Sequence, residues 1–306
     1  MARRRARGRN INGILLLNKS TGVTSNGALQ VAKRLIAGAK AGHTGSLDPL
    51  ATGMLPLCFG EATKFSQFLL DADKTYQVTA KLGVVTETGD ADGEIVSERA
   101  VTASAEEIST ALLSFVGDIE QIPSMYSAIK HQGQPLYKLA REGIEVERKP
   151  RPVTIYRIDS IAVNGDEVSF EVACSKGTYV RTLVEDVGEK LGCGGHVTAL
   201  HRTEVGPFAE ETMYTMDDLG ATKQEGGFEA LDALLLPIDA AVRHWPAVQL
   251  GPDASYYIRQ GQPVMVADRP TSGWVRLYSE KENEFIGVGE VQDDGMIAPR
   301  RLLTTN

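Results

Sequence analysis

One carboxylate stands apart in this chain. Between Gly42 and Pro56 the residues read Gly-His-Thr-Gly-Ser-Leu-Asp-Pro-Leu-Ala-Thr-Gly-Met-Leu-Pro, so Asp48 is the single acid in a segment with three glycines and two prolines. Two glycines bracket His43 and Thr44, Pro49 restrains the backbone after the acid and steers Asp48 away from helical dihedrals, and apolar residues return the chain inward. The expected product is a stiff loop presenting one carboxylate, a group able to act as nucleophile or base. A Gly/Asp-Pro turn that only joins two elements is the other reading of the same residues.

Two further blocks carry possible partners. Gln121 to Gly143 combines Lys130, His131, Lys138 and Arg141 with Tyr126 and Tyr137. Such interleaving of cations and aromatics suits phosphates and splayed bases, although a solvated helical face would look similar on charge alone. Ser175-Lys-Gly-Thr-Tyr-Val-Arg-Thr-Leu183 sets Tyr179 and Arg181 two residues apart, on one strand face if the segment is extended. An arginine next to a carboxylate would lower its pKa and hold it ionised in a partly desolvated cleft; an ordinary buried ion pair would use the same two groups.

The first stretch resembles, at every fixed position, the signature loop of the bacterial tRNA pseudouridine-55 synthases of the TruB family, Gly-His-Thr-Gly-x-Leu-Asp-Pro-x-Ala-x-Gly-x-Leu-Pro. The block from Gln121 and the Gly-Thr-Tyr-x-Arg block are similar to two other motifs of that family. The resemblance implies that Asp48 is the catalytic acid, that Arg181 lies beside it, and that Tyr76, in Lys74-x-Tyr76, lies against the target uracil. It also implies that His43 fills or stabilises the remodelled RNA loop, that Tyr179 and Leu200 line the pocket, and that a mobile insertion near 121–152 grips the RNA and becomes ordered on binding it. By their own residues Tyr76 reads as strand packing and Leu200 as plain core. The RNA-contacting cations implied are Lys19, Lys64, Lys130, His131, Arg141 and Arg202.

These groups must be placed by regular elements. Ile11 to Lys19 reads as a buried strand, and Thr24-Ser25-Asn26 offers N-caps for a helix over Gly27–Ala37 that leads to the Asp48 loop. Gly60–Leu70 has helical spacing, and Lys74–Gly83 alternates as a strand with Tyr76 near its start. Thr86–Glu94, with Asp90, Asp92 and Glu94, invites a calcium loop but lacks its ligand spacing, and reads as an exposed hairpin. Ser104–Phe115 is an amphipathic helix. Strands Val153–Ile161 and Glu167–Cys174 are joined at Asn164-Gly165, a helix covers Leu183–Leu191, and mainly helical linker material runs over Met213–His244.

The composition bounds the rest. The chain has 306 residues, 42% of them hydrophobic and 24% charged, enough to bury a substantial core. Its apolar runs are too short to span a bilayer and no signal peptide is evident, so a cytoplasmic location is expected. Three cysteines without Cys-x-x-Cys spacing argue against disulfides and structural zinc. The net charge is −8, and Arg3, Arg4, Arg5, Arg7 and Arg9 leave about −13 for the remainder, so any RNA site must be a local patch.

The fold expected is α/β (α+β): a pseudouridine-synthase-like domain over 11–244 with a mixed, largely antiparallel sheet flanked by helices, preceded by a basic disordered arm over 1–10. A small PUA-like β module over 245–306 is expected to dock on it, since so small a module stabilises itself poorly. The activity implied is isomerisation of the T-loop uridine of tRNA with base flipping, without cofactor or metal, by a monomer whose partner is the tRNA T arm and elbow. A metal-free glycosidase would need a second acid in an equally distinctive motif, and a non-catalytic RNA chaperone would keep the insertion and the arm.

Overall fold

The computed structural model describes residues 8–209, 211–281 and 283–304. Arg3, Arg4, Arg5 and Arg7 of the arm lie outside them. Arg9 does not: it pairs with Asp232 and lies 4.4 Å from the Phe228 ring centre, so the last of the five arginines belongs to the folded body.

In chain order the elements are β1 (Gly13–Lys19), α1 (Ser25–Ile36), β2 (Ala41–His43), β3 (Thr52–Phe59), α2 (Ser66–Leu70), β4 (Lys74–Leu82), β5 (Val84–Thr86), β6 (Ile95–Glu98) and α3 (Ala105–Leu113). After these come β7 (Gly117–Gln121), β8 (Lys130–His131), β9 (Gln134–Pro135), α4 (Leu136–Arg141), β10 (Arg151–Asn164), β11 (Glu167–Cys174), α5 (Val180–Lys190), β12 (Gly195–Val205) and α6 (Met216–Asp232). The chain closes with β13 (Ala247–Leu250), α7 (Pro252–Arg259), β14 (Gly273–Ser279), β15 (Glu284–Val291) and β16 (Ile297–Leu302).

Eight strands form one sheet in the order β1-β3-β12-β4-β11-β10-β7, with β2 beside β3. Every pairing in it is antiparallel except β12 with β3. The burial alternation of β11 leaves Val168, Phe170, Val172 and Cys174 on one face, where they meet the apolar stripes of α1, α3 and α5. The caps are those the residues favour: Thr24 Oγ1 accepts from Gly27 N at 3.0 Å, and Ser104 with Glu107 forms a capping box on α3. The β10–β11 hairpin turns at Asn164-Gly165, with Asn164 opposite Glu167.

Several boundaries differ from the sequence expectation. Gly60–Lys64 is a 3₁₀ turn and only Ser66–Leu70 is α-helical, because Phe65 ends the first turn with its amide on Ala62 O. The 213–244 stretch is no linker: Leu219 and Leu231 are fully buried in the main core, against which Tyr214 also packs. The last four strands form a separate sheet, β13-β14-β15-β16, docked on the main body as its size requires. The joint is a second apolar cluster shared by Ile14, Leu16, Met54, Phe65, Phe208 and Val242 of the main body with Val288, Trp274 and Phe285 of the last sheet. Phe68 sits edge-on to both Trp245 and Trp274, at 4.9 and 5.3 Å between ring centres.

Candidate active site

The loop from Thr44 to Ala51 leaves β2 and enters β3, and buried groups hold it on every side. Thr44 N donates to Pro56 O at 3.1 Å, and Leu47 N and O both bond Ser25 Oγ, at 2.7 and 3.1 Å. Lys19 Nζ donates to the carbonyls of Ser20, Val23 and Pro49, and Gly22 N reaches the same Pro49 carbonyl. Gly53, at φ 96°, lets the strand pass so close to Arg202 that a Cβ there would lie 2.3 Å from the Arg202 carbonyl oxygen. The stiff loop read from the glycines and prolines is therefore present, and it projects Asp48 into a pocket of about 410 Å³.

Arg181 meets it there. The arginine is only 4% exposed, and its Nε lies 2.8 Å from Asp48 Oδ2. Its other nitrogens tie two more segments to the Asp48 loop: Nη1 donates to Thr88 O and lies 3.7 Å from Asp90 Oδ2, while Nη2 donates to Tyr126 O at 3.0 Å. The expectation that Tyr179 and Arg181 share a strand face fails. The chain turns helical at Val180, so Tyr179 is the N-cap residue of α5 and Arg181 projects from its first turn. The Gln121 side chain satisfies the freed backbone groups, bonding Tyr179 N at 3.0 Å and Tyr179 O at 3.2 Å.

The charge balance of Asp48 also differs in sign from expectation. Burial leads and pushes its pKa up, Asp90 adds to the rise, and Arg181 and Lys19 oppose it. The Asp48 side chain keeps 38% of its surface open to the pocket, so water offsets part of that cost in the empty site and the full effect belongs to the filled one.

The register of β4, between β11 and β12, brings the remaining walls together: Tyr76 lies opposite Val172 on one side and Arg202 on the other. Tyr76, Tyr179, His43, Leu200, Lys74 and Ser127 line the pocket with Asp48 and Arg181. Burial raises the pKa of both tyrosines, and burial together with Arg202 lowers that of His43. His43 is thus uncharged at neutral pH, with its Nδ1 unpaired. Alternation along β4 turns Gln77 and Thr79 to the opposite sheet face, where a larger groove of about 640 Å³ carries Asp92 and Glu171 and, among the described residues, no arginine or lysine. That groove suits a polyanion poorly.

The six cations divide. Lys130, His131 and Arg141 are exposed on the insertion, with Arg141 5.7 Å from the Tyr137 ring centre. The other three are turned from surface roles, and the reason is carbonyl coordination. Lys19 and Arg202 are each 1% exposed; Arg202 donates through Nε to Met54 O at 2.7 Å and through Nη2 to Gly45 O at 3.2 Å. Lys64 is held by Leu302 O, Thr304 Oγ1 and Glu61. The Thr86–Glu94 turn is likewise not simply exposed: Asp90 is 5% exposed, accepts from Thr88 Oγ1 and Asp92 N, and faces Arg181. The signal for it was an aspartate set between glycines with threonines two and four residues earlier. Among the described residues no cluster of His, Cys, Asp and Glu has the arrangement of a metal site.

The chain superposes on one chain of a crystallised Cbf5–Nop10–Gar1 complex with a TM-score of 0.73, at 26% identity, covering 95% of this chain and 84% of the other. The model of the TruB family pseudouridylate synthase N-terminal domain matches residues 33–180, that of the tRNA pseudouridylate synthase B C-terminal domain matches 181–243, and that of the pseudouridine synthase II TruB C-terminal segment matches 246–303. The tRNA pseudouridine synthase B of Tolumonas auensis is 56% identical over 98% of this chain and 95% of its own length. That of Pseudomonas aeruginosa is 56% identical over 96% and 97%, and that of Yersinia pestis 53% identical over 99% and 95%. The chain belongs to the TruB family.

Proposed function

We propose that this protein isomerises the T-loop uridine of tRNA to pseudouridine, with Asp48 as the group that acts on the ribose. The observation that carries the proposal is the Asp48 Oδ2–Arg181 Nε contact of 2.8 Å at the mouth of a pocket walled by Tyr76, Tyr179 and Leu200. In the reaction the C1′–N1 bond breaks, the uracil turns, a C1′–C5 bond forms, and the proton on C5 leaves while N1 gains one, so no oxidant or metal enters the balance. A carboxylate at this place serves either as nucleophile at C1′ or as base at C2′. Arg181 keeps it oriented and favours its ionised form against the burial that raises its pKa, and Asp90 and Thr88 keep Arg181 from rotating away. Tyr76, which lines the pocket, packs on the base and relays the C5 proton.

A base can enter such a pocket only by leaving its stack, and His43, neutral and part of the lining, is suited to occupy the space it vacates. Lys130, His131 and Arg141 give the insertion over 121–152 its grip on phosphates, and 11–244 and 245–306 act as the catalytic body and an accessory RNA-binding module. The enzyme works as a monomer on the tRNA T arm and elbow in the cytoplasm. The test is release of tritium from T-arm RNA carrying C5-tritiated uridine, in EDTA. The wild type is expected to release it, and Asp48→Asn to bind the RNA normally while losing at least about 10³-fold in rate. Equal release by both would remove Asp48 from the chemistry.

A further inference from the structure

Besides His43 Nδ1, a second polar group among the residues lining the same pocket has no partner, the hydroxyl of Ser127. Ser127 lies at the root of the insertion, directly after Tyr126, whose carbonyl is held by Arg181. Its own carbonyl accepts from Tyr137 N at 3.1 Å, so its backbone is fixed to α4. The side chain is 2% exposed and lines the pocket with Asp48, Tyr76 and Tyr179. Yet its hydroxyl is shut off from solvent and has no well-aligned partner; the Tyr179 phenol stands beside it, close enough to interact but short of a well-formed hydrogen bond.

A buried hydroxyl without a partner costs about 1–3 kcal/mol, and nearly all such groups in native proteins are paired. An alanine would avoid that cost with the same fit. A serine, in contrast, turns its hydroxyl with a single χ1 step and both donates and accepts. A pyrimidine edge with two carbonyls flanking an N–H can satisfy either role.

We propose that Ser127 binds the base of the flipped target nucleotide, so that the insertion reads directly whether the pocket is filled. This rests on the pseudouridine synthase reading above, which tritium release by the wild type checks independently. Ser127 then serves recognition: the hydroxyl gains its partner when the base arrives, and the insertion is steadied through Tyr137 at the same moment.

The test compares RNA binding without turnover. A T-arm RNA carrying pseudouridine at the target position and the same RNA with an abasic site there are titrated against wild type and Ser127→Ala. The variant is expected to bind the pseudouridine RNA about 2- to 13-fold more weakly, the range of one neutral hydrogen bond, and the abasic RNA as well as wild type does. Equal weakening toward both RNAs, or toward neither, overturns the proposal. The hydroxyl could instead serve Tyr179. In that case Ser127→Ala would lower the Tm of the free protein and would have no further effect on binding in a Tyr179→Phe background, and either result sinks the inference. An unchanged or higher Tm is the expected one, because the empty site loses no bond.

Discussion

Arg181 shows how much one side chain can organise. Three of its nitrogens reach Asp48, Thr88, Asp90 and Tyr126, which belong to three segments far apart in sequence. One turn further along the same face of α5 lies Glu185, whose carboxyl rests against Gly89, next to Thr88 and Asp90. Burial pushes the Glu185 pKa up to about 7, with Asp186 and Asp90 adding to the rise and Arg181 and Arg148 opposing it. A raised acid keeps its proton in the native state after the unfolded chain has lost it. Its contribution is therefore complete below pH 4.5 and is lost as pH rises through about 7. Glu185→Gln should remove that downward slope and stabilise the protein above pH 7 by roughly 3 kcal/mol at most. Denaturant melts across this range read it directly, and a variant with the wild-type slope would show that Glu185 does not titrate there. Asp48 and Arg181 could be recognised from sequence because their neighbours are unusual. Asp90 was marked only by its glycine and threonine neighbours, and nothing local marks Glu185 or Ser127; only the pairing of distant strands and the packing of α5 on the 86–94 turn bring them to the site.

At the scale of elements, the Asp48 loop works because it cannot move. Gly53→Ala puts a side chain at φ 96° and a Cβ 2.3 Å from a backbone oxygen, neither of which can yield. It should cost upwards of about 3 kcal/mol and most of the activity. Gly165→Ala, at φ 65° in the open β10–β11 turn with nothing within 4 Å, should cost only about 1–2 kcal/mol. Urea midpoints of the two variants separate close approach from backbone strain, and equal losses would mean that the crossing with Arg202 has slack. The glycines, prolines and strand alternation made the loop and most of the sheet readable in advance. The start of α5 was misjudged because Tyr179 and Arg181 have no local preference strong enough to fix it; Gln121, from another strand, caps the chain there. The burial of Lys19 and Arg202 could not be read in advance, because residue type does not reveal a cage of carbonyls.

For the whole molecule, the net charge of −8 and an RNA ligand are compatible because exposed cations gather on the insertion. The two sheets are joined by aromatic packing, so they should unfold together. Trp274→Ala, which removes the ring stacked 5.1 Å from Trp245, should cost about 3–5 kcal/mol and lower a single calorimetric transition. Two separate transitions in the wild type would show that the last sheet is an independent body. The same joint bears on how the protein is made. Ile14 and Leu16 of the first strand share their apolar cluster with Val288 of β15. At ribosomal speeds of about 5–20 residues per second, that face waits roughly 15 s to a minute after its synthesis. Throughout that interval the nascent chain carries an apolar strand face whose last partners have yet to be made, a point at which a holding chaperone would act.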